Sequence, residues 1–199
     1  MLLSDSLDSS QDPKVKQIAP RLVESMERAA KLCTDTLIFA RAESVDPVKE
    51  RFDLKDLVDE VMATFDGQTT SSIRWRNEVN ERTMVFADRD QLFRVLMNLG
   101  RNAQEALQAR ADKDQAGMIS FMGWQSGRSL IIEVIDTGPG IADSAREHLF
   151  EAFSGSTRPG GTGLGLAIAR EIMHAHGGDI SLDRSDSDGT AFRLELPMA

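Results

Sequence analysis

Asn98 and Asn102 lie four residues apart in a run whose apolar residues (Leu92, Val95, Leu96, Leu99, Ala103, Ala106, Leu107) recur at helical spacing. Both amides therefore share one helix face, on the seam between core and solvent. An amide carbonyl there is an oxygen ligand suited to a hard cation such as Mg2+, which also bridges to phosphates. Further on, Asp136 closes the apolar run Leu130-Ile131-Ile132-Glu133-Val134-Ile135 and opens the turn Asp136-Thr137-Gly138-Pro139-Gly140-Ile141. An ionised carboxylate only accepts hydrogen bonds, so it pairs with an amino donor such as that of adenine. Gly138 and Gly140 let the backbone approach a base closely and turn sharply. A third group, Gly161-Thr162-Gly163-Leu164-Gly165-Leu166, leads into another helical run. Free N–H groups and the positive helix end there suit phosphate oxygens. Gly189-Thr190 follows late in the chain. Each group alone is weak: paired amides also cap loops, Asp-Thr-Gly is also an ordinary turn, and dinucleotide folds use similar glycines. In this order they describe a pocket for a nucleotide and its metal, with no P-loop lysine.

The elements that must position these residues follow from periodicity. Val15, Ile18, Leu22, Met26, Ala29, Cys33, Leu37 and Ala40 predict a long helix over residues 13–43, with an apolar stripe that needs a partner surface. Leu2, Leu3 and Leu7 read as the end of a preceding helix. Ser44-Val45-Asp46-Pro47 reads as a break. A globular domain then begins near Val48, with a helix over 53–65, strand-like alternation over 73–79 and 83–87, and a strong helix from Arg89 to about Ala109. Residues 117–124 and 129–136 form an expected hairpin. A glycine-rich stretch over 137–162 carries a short helical piece around Ala145 to Glu151. Gly163 to His176 is a helix stopped by Gly177-Gly178, and 179–183 with 190–196 form a last hairpin. The expected architecture is α+β: a two-layer α/β sandwich with a mixed sheet and helices on one face, preceded by the long helix or a truncated helical hairpin. The domain division is 1–45 and 46–199.

Composition bounds the function. Of 199 residues, 41% are hydrophobic and 28% charged, which supports an ordinary core. The net charge of -9 disfavours nonspecific nucleic-acid binding. A single cysteine, Cys33, excludes a disulfide framework within the chain and suits a reducing cytoplasm. No apolar run approaches the roughly 20 residues that span a bilayer, so a membrane anchor, if the parent has one, lies outside this sequence.

The run Asn98-Leu99-Gly100-Arg101-Asn102-Ala103-Gln104-Glu105-Ala106-Leu107 resembles the N box of the sensor histidine kinases. Those belong to the ATPase superfamily that also holds gyrase, the MutL proteins and the ninety-kilodalton heat-shock chaperones, with the Bergerat ATP-binding fold. The resemblance implies ATP and Mg2+ as cofactors, with Asn102 as the Mg2+ ligand and Asn98 beside the phosphates. It identifies Asp136, Gly138, Gly140 and Ile141 with the G1 box, with Asp136 as the adenine reader. Phe150-Glu151-Ala152-Phe153 resembles the F box, and Gly161, Thr162, Gly163, Leu164, Gly165 and Leu166 resemble the G2 box. The segment between, about 142–162, would be a lid, in which Arg158 either touches phosphate or is a solvated charge. Thr190 matches a threonine near adenine. In hydrolytic relatives a glutamate stands where Asn98 does. An amide cannot act as a general base, so this pocket is expected to keep ATP for transfer rather than hydrolysis. Glu105 departs from the basic residue of many members and matches the nitrogen-regulatory subgroup.

The resemblance also implies partners: a phosphoacceptor-histidine hairpin, a response-regulator receiver domain, and a second copy in a homodimer. None of the three histidines fits the acceptor. His174 and His176 stand at a helix end, where a structural role outweighs metal binding, and His148 falls on the lid. The chain thus reads as a donor half cut just after the acceptor region, unable to phosphorylate itself. Two alternatives remain: a protein-serine kinase of the anti-sigma type, and a non-catalytic adaptor on the same fold.

Overall fold

The computed structural model describes residues 46–65, 73–110, 116–153 and 163–198, together with scattered helical positions between 15 and 36. At those scattered positions Ile18, Leu22 and Met26 of the expected stripe are exposed, as is Leu32, while Val15 is half-buried. The chain then alternates strands and helices: β1 (Glu50–Asp53), α1 (Leu54–Phe65), β2 (Ile73–Val79), β3 (Met84–Ala87), α2 (Arg89–Gln108), β4 (Gly117–Ser126), β5 (Ser129–Asp136), α3 (Asp143–Arg146), α4 (Gly165–Ala175), β6 (Asp179–Asp186) and β7 (Gly189–Pro197).

Five strands form one sheet in the order β2-β4-β5-β7-β6. β2 runs parallel to β4 and the other neighbours are antiparallel. The sheet is therefore mixed, as expected. Alternation along the strands sends Ile119, Phe121, Leu130, Ile132, Val134, Phe192 and Leu194 to one face, where α1, α2 and α4 bury them. Phe65 of α1 stacks on Trp75 of β2 at 4.4 Å between centroids, and Trp75 stacks on Phe121 of β4 at 6.1 Å. These aromatic contacts fasten α1 across the sheet edge.

Boundaries shift modestly from the expected ones. α4 begins at Gly165 rather than Gly163, and the short helix sits at 143–146 rather than around 145–151. The structure adds β1, which pairs antiparallel with β3 as a separate two-stranded sheet. Its four residues, Glu-Arg-Phe-Asp, carry too little alternation to read as a strand.

α2 starts on a side-chain cap: Asp88 Oδ1 accepts from Gln91 N at 3.1 Å. Asp88 Oδ2 accepts from Val48 N at 3.0 Å, which fixes the incoming chain against this helix start. α4 ends on Gly177, whose φ of 77° is the left-handed stop that glycine permits.

Candidate nucleotide site

α2 is the strut along which the glycine turns are arranged. Asn98 donates from Nδ2 to the Gly165 carbonyl at 3.1 Å, tying α2 to the first residue of α4. A Cβ on Gly138 would meet Ala106 Cβ of α2 at 3.3 Å, so the turn after β5 abuts the same helix two turns later. At 1.5 Å of rise per residue, Asn98 and Ala106 are about 12 Å apart along the axis. Asn102 lies between them, half-buried, and its side chain has no hydrogen-bond partner among the described residues. An amide on that seam is suited to take a ligand.

Asp136 is 5% exposed at the end of β5. One of its oxygens, Oδ1, accepts from Gly138 N at 2.6 Å, so the turn's own backbone orients the carboxylate. Directly across the ladder stands Thr190 of β7, also buried. Gly189 must be glycine: a Cβ there would collide with the Asp136 carbonyl oxygen. Gly140 has φ 77°, and a Cβ on it would run into the Asp186 carbonyl. Both glycines therefore bring the β6–β7 turn against the carboxylate turn.

Two residues that sequence reasoning passed over hold this junction. Ser185 Oγ accepts from Ile141 N at 2.7 Å. Arg146 donates from Nε to the Ile141 carbonyl at 3.0 Å and from Nη2 to the Ser185 carbonyl at 2.8 Å. The two bonds to Ser185 span 44 and 39 residues of sequence, and no local pattern marks such a pair.

Phe150 packs edge-on against Phe192 at 6.4 Å and lies beneath Arg170 at 5.6 Å. Phe153 is 64% exposed with φ 65°, left-handed and uncommon for an aromatic. Its N–H donates to the Gly163 carbonyl at 3.2 Å, joining the two ends of the expected lid. Leu164 is fully buried at the N-cap of α4, whereas Gly163, Gly165 and Leu166 are half-buried. Arg158, Gly161 and Thr162 lie outside the described residues. Asn98, Asn102, Asp136, Gly138, Gly140, Ile141, Gly163, Leu164, Gly165, Leu166 and Thr190 thus surround the end of the sheet where α2 and α4 meet it, with Phe153 at the rim.

The histidines stand apart from this cluster. His176, buried, accepts from Asp88 N at Nε2 (2.9 Å), and its Nδ1 lies 2.8 Å from the Ile172 carbonyl. Nε2 must therefore be unprotonated and Nδ1–H the donor. Burial pushes its pKa below the usual imidazole range against the raising effect of the Ile172 carbonyl. His174 contacts Asp179 at 3.1 Å and His148 contacts Glu151 at 3.0 Å, both near the surface. No cluster of three or more potential metal-binding His, Cys, Asp or Glu side chains occurs among the described residues.

Comparison with known proteins matches this architecture to one family. Residues 87–199 match the histidine kinase-, DNA gyrase B-, and HSP90-like ATPases. The sensor protein FixL of Bradyrhizobium diazoefficiens is 33% identical over all of this chain, which covers 38% of FixL. The sensory histidine kinase/phosphatase NtrB of Rhizobium meliloti is 40% identical over 57% of this chain and 32% of NtrB. Full-length ShkA in complex with AMPPNP superposes with a TM-score of 0.78 at 26% identity, over 96% of this chain and 40% of ShkA. Histidine kinase ThkA in complex with the response regulator TrrA superposes with a TM-score of 0.74 at 27% identity, over 96% of this chain and 53% of ThkA. The chain spans less than half the length of these curated relatives.

Proposed function

The chain belongs to the histidine kinase-, DNA gyrase B-, and HSP90-like ATPase family, as a catalytic ATP-binding domain of the sensor histidine kinase type, and we propose that its α2–α4 cleft holds ATP with Mg2+ for phosphoryl transfer to a histidine outside this chain. The observation that carries this reading is the joint placement of Asp136, Thr190 and the Asn98–Asn102 face at one end of the sheet. Asp136, oriented by Gly138 N–H, accepts from the adenine amino group. Gly140 and Gly189 let the β6–β7 turn pack against the carboxylate turn, which holds Asp136 and Thr190 side by side where the base would lie. Asn102 offers its carbonyl oxygen to the cation, and the N-terminal turn of α4 faces the phosphates with its free N–H groups. Bound Mg2+ supplies charge neutralisation across the phosphate oxygens.

Asn98 sets the outcome. Its Nδ2 is committed to the Gly165 carbonyl, and an amide takes no proton from water. The pocket therefore positions the phosphoryl group for an incoming imidazole, without a base for hydrolysis. Phe153 and the lid ends close over the nucleotide. Arg158, Gly161 and Thr162 belong to the same site by their place in the family motifs. The response regulator bound by ThkA points to a receiver domain as the next acceptor, with a homodimer built on the exposed helical stripe. This reading places the 1–45 segment with the acceptor hairpin, 46–199 with ATP, and the domain in the cytoplasm.

Calorimetric titration of the chain with ATP and GTP, each with and without Mg2+, tests the pocket. ATP should bind more tightly than GTP by about 1–3 kcal/mol, the cost of facing an acceptor with an acceptor, and Mg2+ should strengthen ATP binding. Equal affinity for the two nucleotides contradicts the adenine role.

A further inference from the structure

The sheet face turned away from α2 and α4 carries a concavity of its own. A cavity of 460 Å³ opens at the β2 edge, and among the described residues its walls include Arg74, Arg76, Arg110, Met118, Thr137 and Asp188. Strand alternation explains two of the arginines. Trp75 turns into the core stack with Phe65 and Phe121, so Arg74 and Arg76 on either side of it project together from the opposite face. Arg110 reaches the same cavity from just beyond the end of α2.

Three guanidiniums converge here in a chain of net charge -9. Among the described residues, the side chains of Arg74 and Arg110 have no ion-pair or hydrogen-bond partner. Arg76 has only a surface contact with Glu78 at 3.5 Å, which is worth little. Asp188 is the one carboxylate among the described walls. Like charges lining one cavity repel, and an anion between them relieves the repulsion. The planar fork of arginine matches carboxylate and phosphate oxygens bidentately. The volume lies in the range of small-molecule sites. The wall is also firm: Thr137 Oγ1 accepts from Met118 N at 3.0 Å and Thr137 N donates to the Met118 carbonyl at 3.1 Å.

We propose that this cavity binds a small anion carrying two or more phosphate or carboxylate groups, at a site separate from the nucleotide cleft. The proposal does not depend on the cleft holding ATP.

The test is calorimetric titration of the full chain in metal-free buffer with pyrophosphate and, separately, with citrate. The expected result is one saturable event per chain for at least one of the two. Tighter pyrophosphate binding assigns the site to phosphates, and tighter citrate binding assigns it to carboxylates. The Arg74→Ala/Arg110→Ala double variant and the single Arg76→Glu variant, both altering surface-facing side chains, should keep the wild-type circular dichroism. Each should weaken that binding by roughly tenfold or more while leaving the response to ATP unchanged. Anion affinity unaltered in both variants would place the anion elsewhere, the nucleotide cleft included, and overturn the proposal. So would the lack of saturable binding by either anion.

Discussion

Asp136 has one oxygen fixed by the Gly138 N–H at 2.6 Å and sits opposite Thr190. That division of labour makes Asp136→Asn an informative substitution. The asparagine oxygen can still accept from Gly138, so the turn keeps its internal bond. Its amide nitrogen then presents a donor where an acceptor is needed. ATP affinity should fall by about 1–3 kcal/mol, on the order of tenfold to a hundredfold. Unchanged affinity would remove Asp136 from the adenine role. At this scale the candidate residues could be picked out of the sequence because Asn98, Asn102, Asp136 and the glycines stand in short contiguous motifs whose chemistry is local. Ser185 and Arg146 were not legible. Ser185 satisfies the Ile141 N–H from 44 residues away and accepts from Arg146 across 39, and a polar side chain's distant partner leaves no periodic trace.

Among the elements, the most telling joint lies where α4 ends against the start of α2. His176, at the C-cap of α4, accepts the Asp88 N–H, and Asp88 caps α2 while holding Val48 N. Lys49 donates to the His176 carbonyl at 3.1 Å, so the chain entering the domain is bound twice at this joint. Protonating His176 at Nε2 would turn an acceptor into a donor facing another donor. Its pKa is lowered in the folded state, first by burial and also by Lys49, against the raising influence of the Ile172 carbonyl and Asp88. The unfolded chain therefore binds the proton more readily, and stability rises with pH through this window. The stabilisation is full above the ordinary imidazole value and is lost as pH falls through the depressed one. His148, raised by its bond to Glu151, acts in the opposite sense, but from an exposed position. Urea unfolding should show a midpoint that drops as pH is lowered from about 8 to about 5.5. His176→Leu should lower stability at the upper pH by about 1–3 kcal/mol and flatten the slope. An unaltered slope in the variant would show that another group carries it. The helix end at Gly177 was readable from capping rules, yet its connection through His176 to the Asp88 cap of α2 was not. The His-Gly-Gly stop suggested a structural histidine without revealing what it holds. β1 escaped notice for a related reason: Glu50–Asp53 becomes a strand only because β3 is there to pair with it.

Taken whole, the described residues form a mixed sheet with α2 and α4 tied together at one end, preceded by a helical region whose apolar positions Ile18, Leu22 and Met26 are exposed. The sandwich was predictable because its strands alternate and its helices carry a clear apolar face. The parallel placement of β2 beside β4 was not, since strand order depends on the connection through β3 and α2 and not on either strand's residues. The proposed division of labour, a donor domain without a base and without an acceptor, belongs to this scale. It is tested most directly by incubating the chain with γ-labelled ATP and Mg2+, alone and with a separate hairpin bearing an acceptor histidine. The account predicts acid-labile, base-stable label on the added hairpin, none on the chain itself, and no appreciable phosphate release without the hairpin. Steady phosphate release by the chain alone, or label appearing on it, would contradict the account.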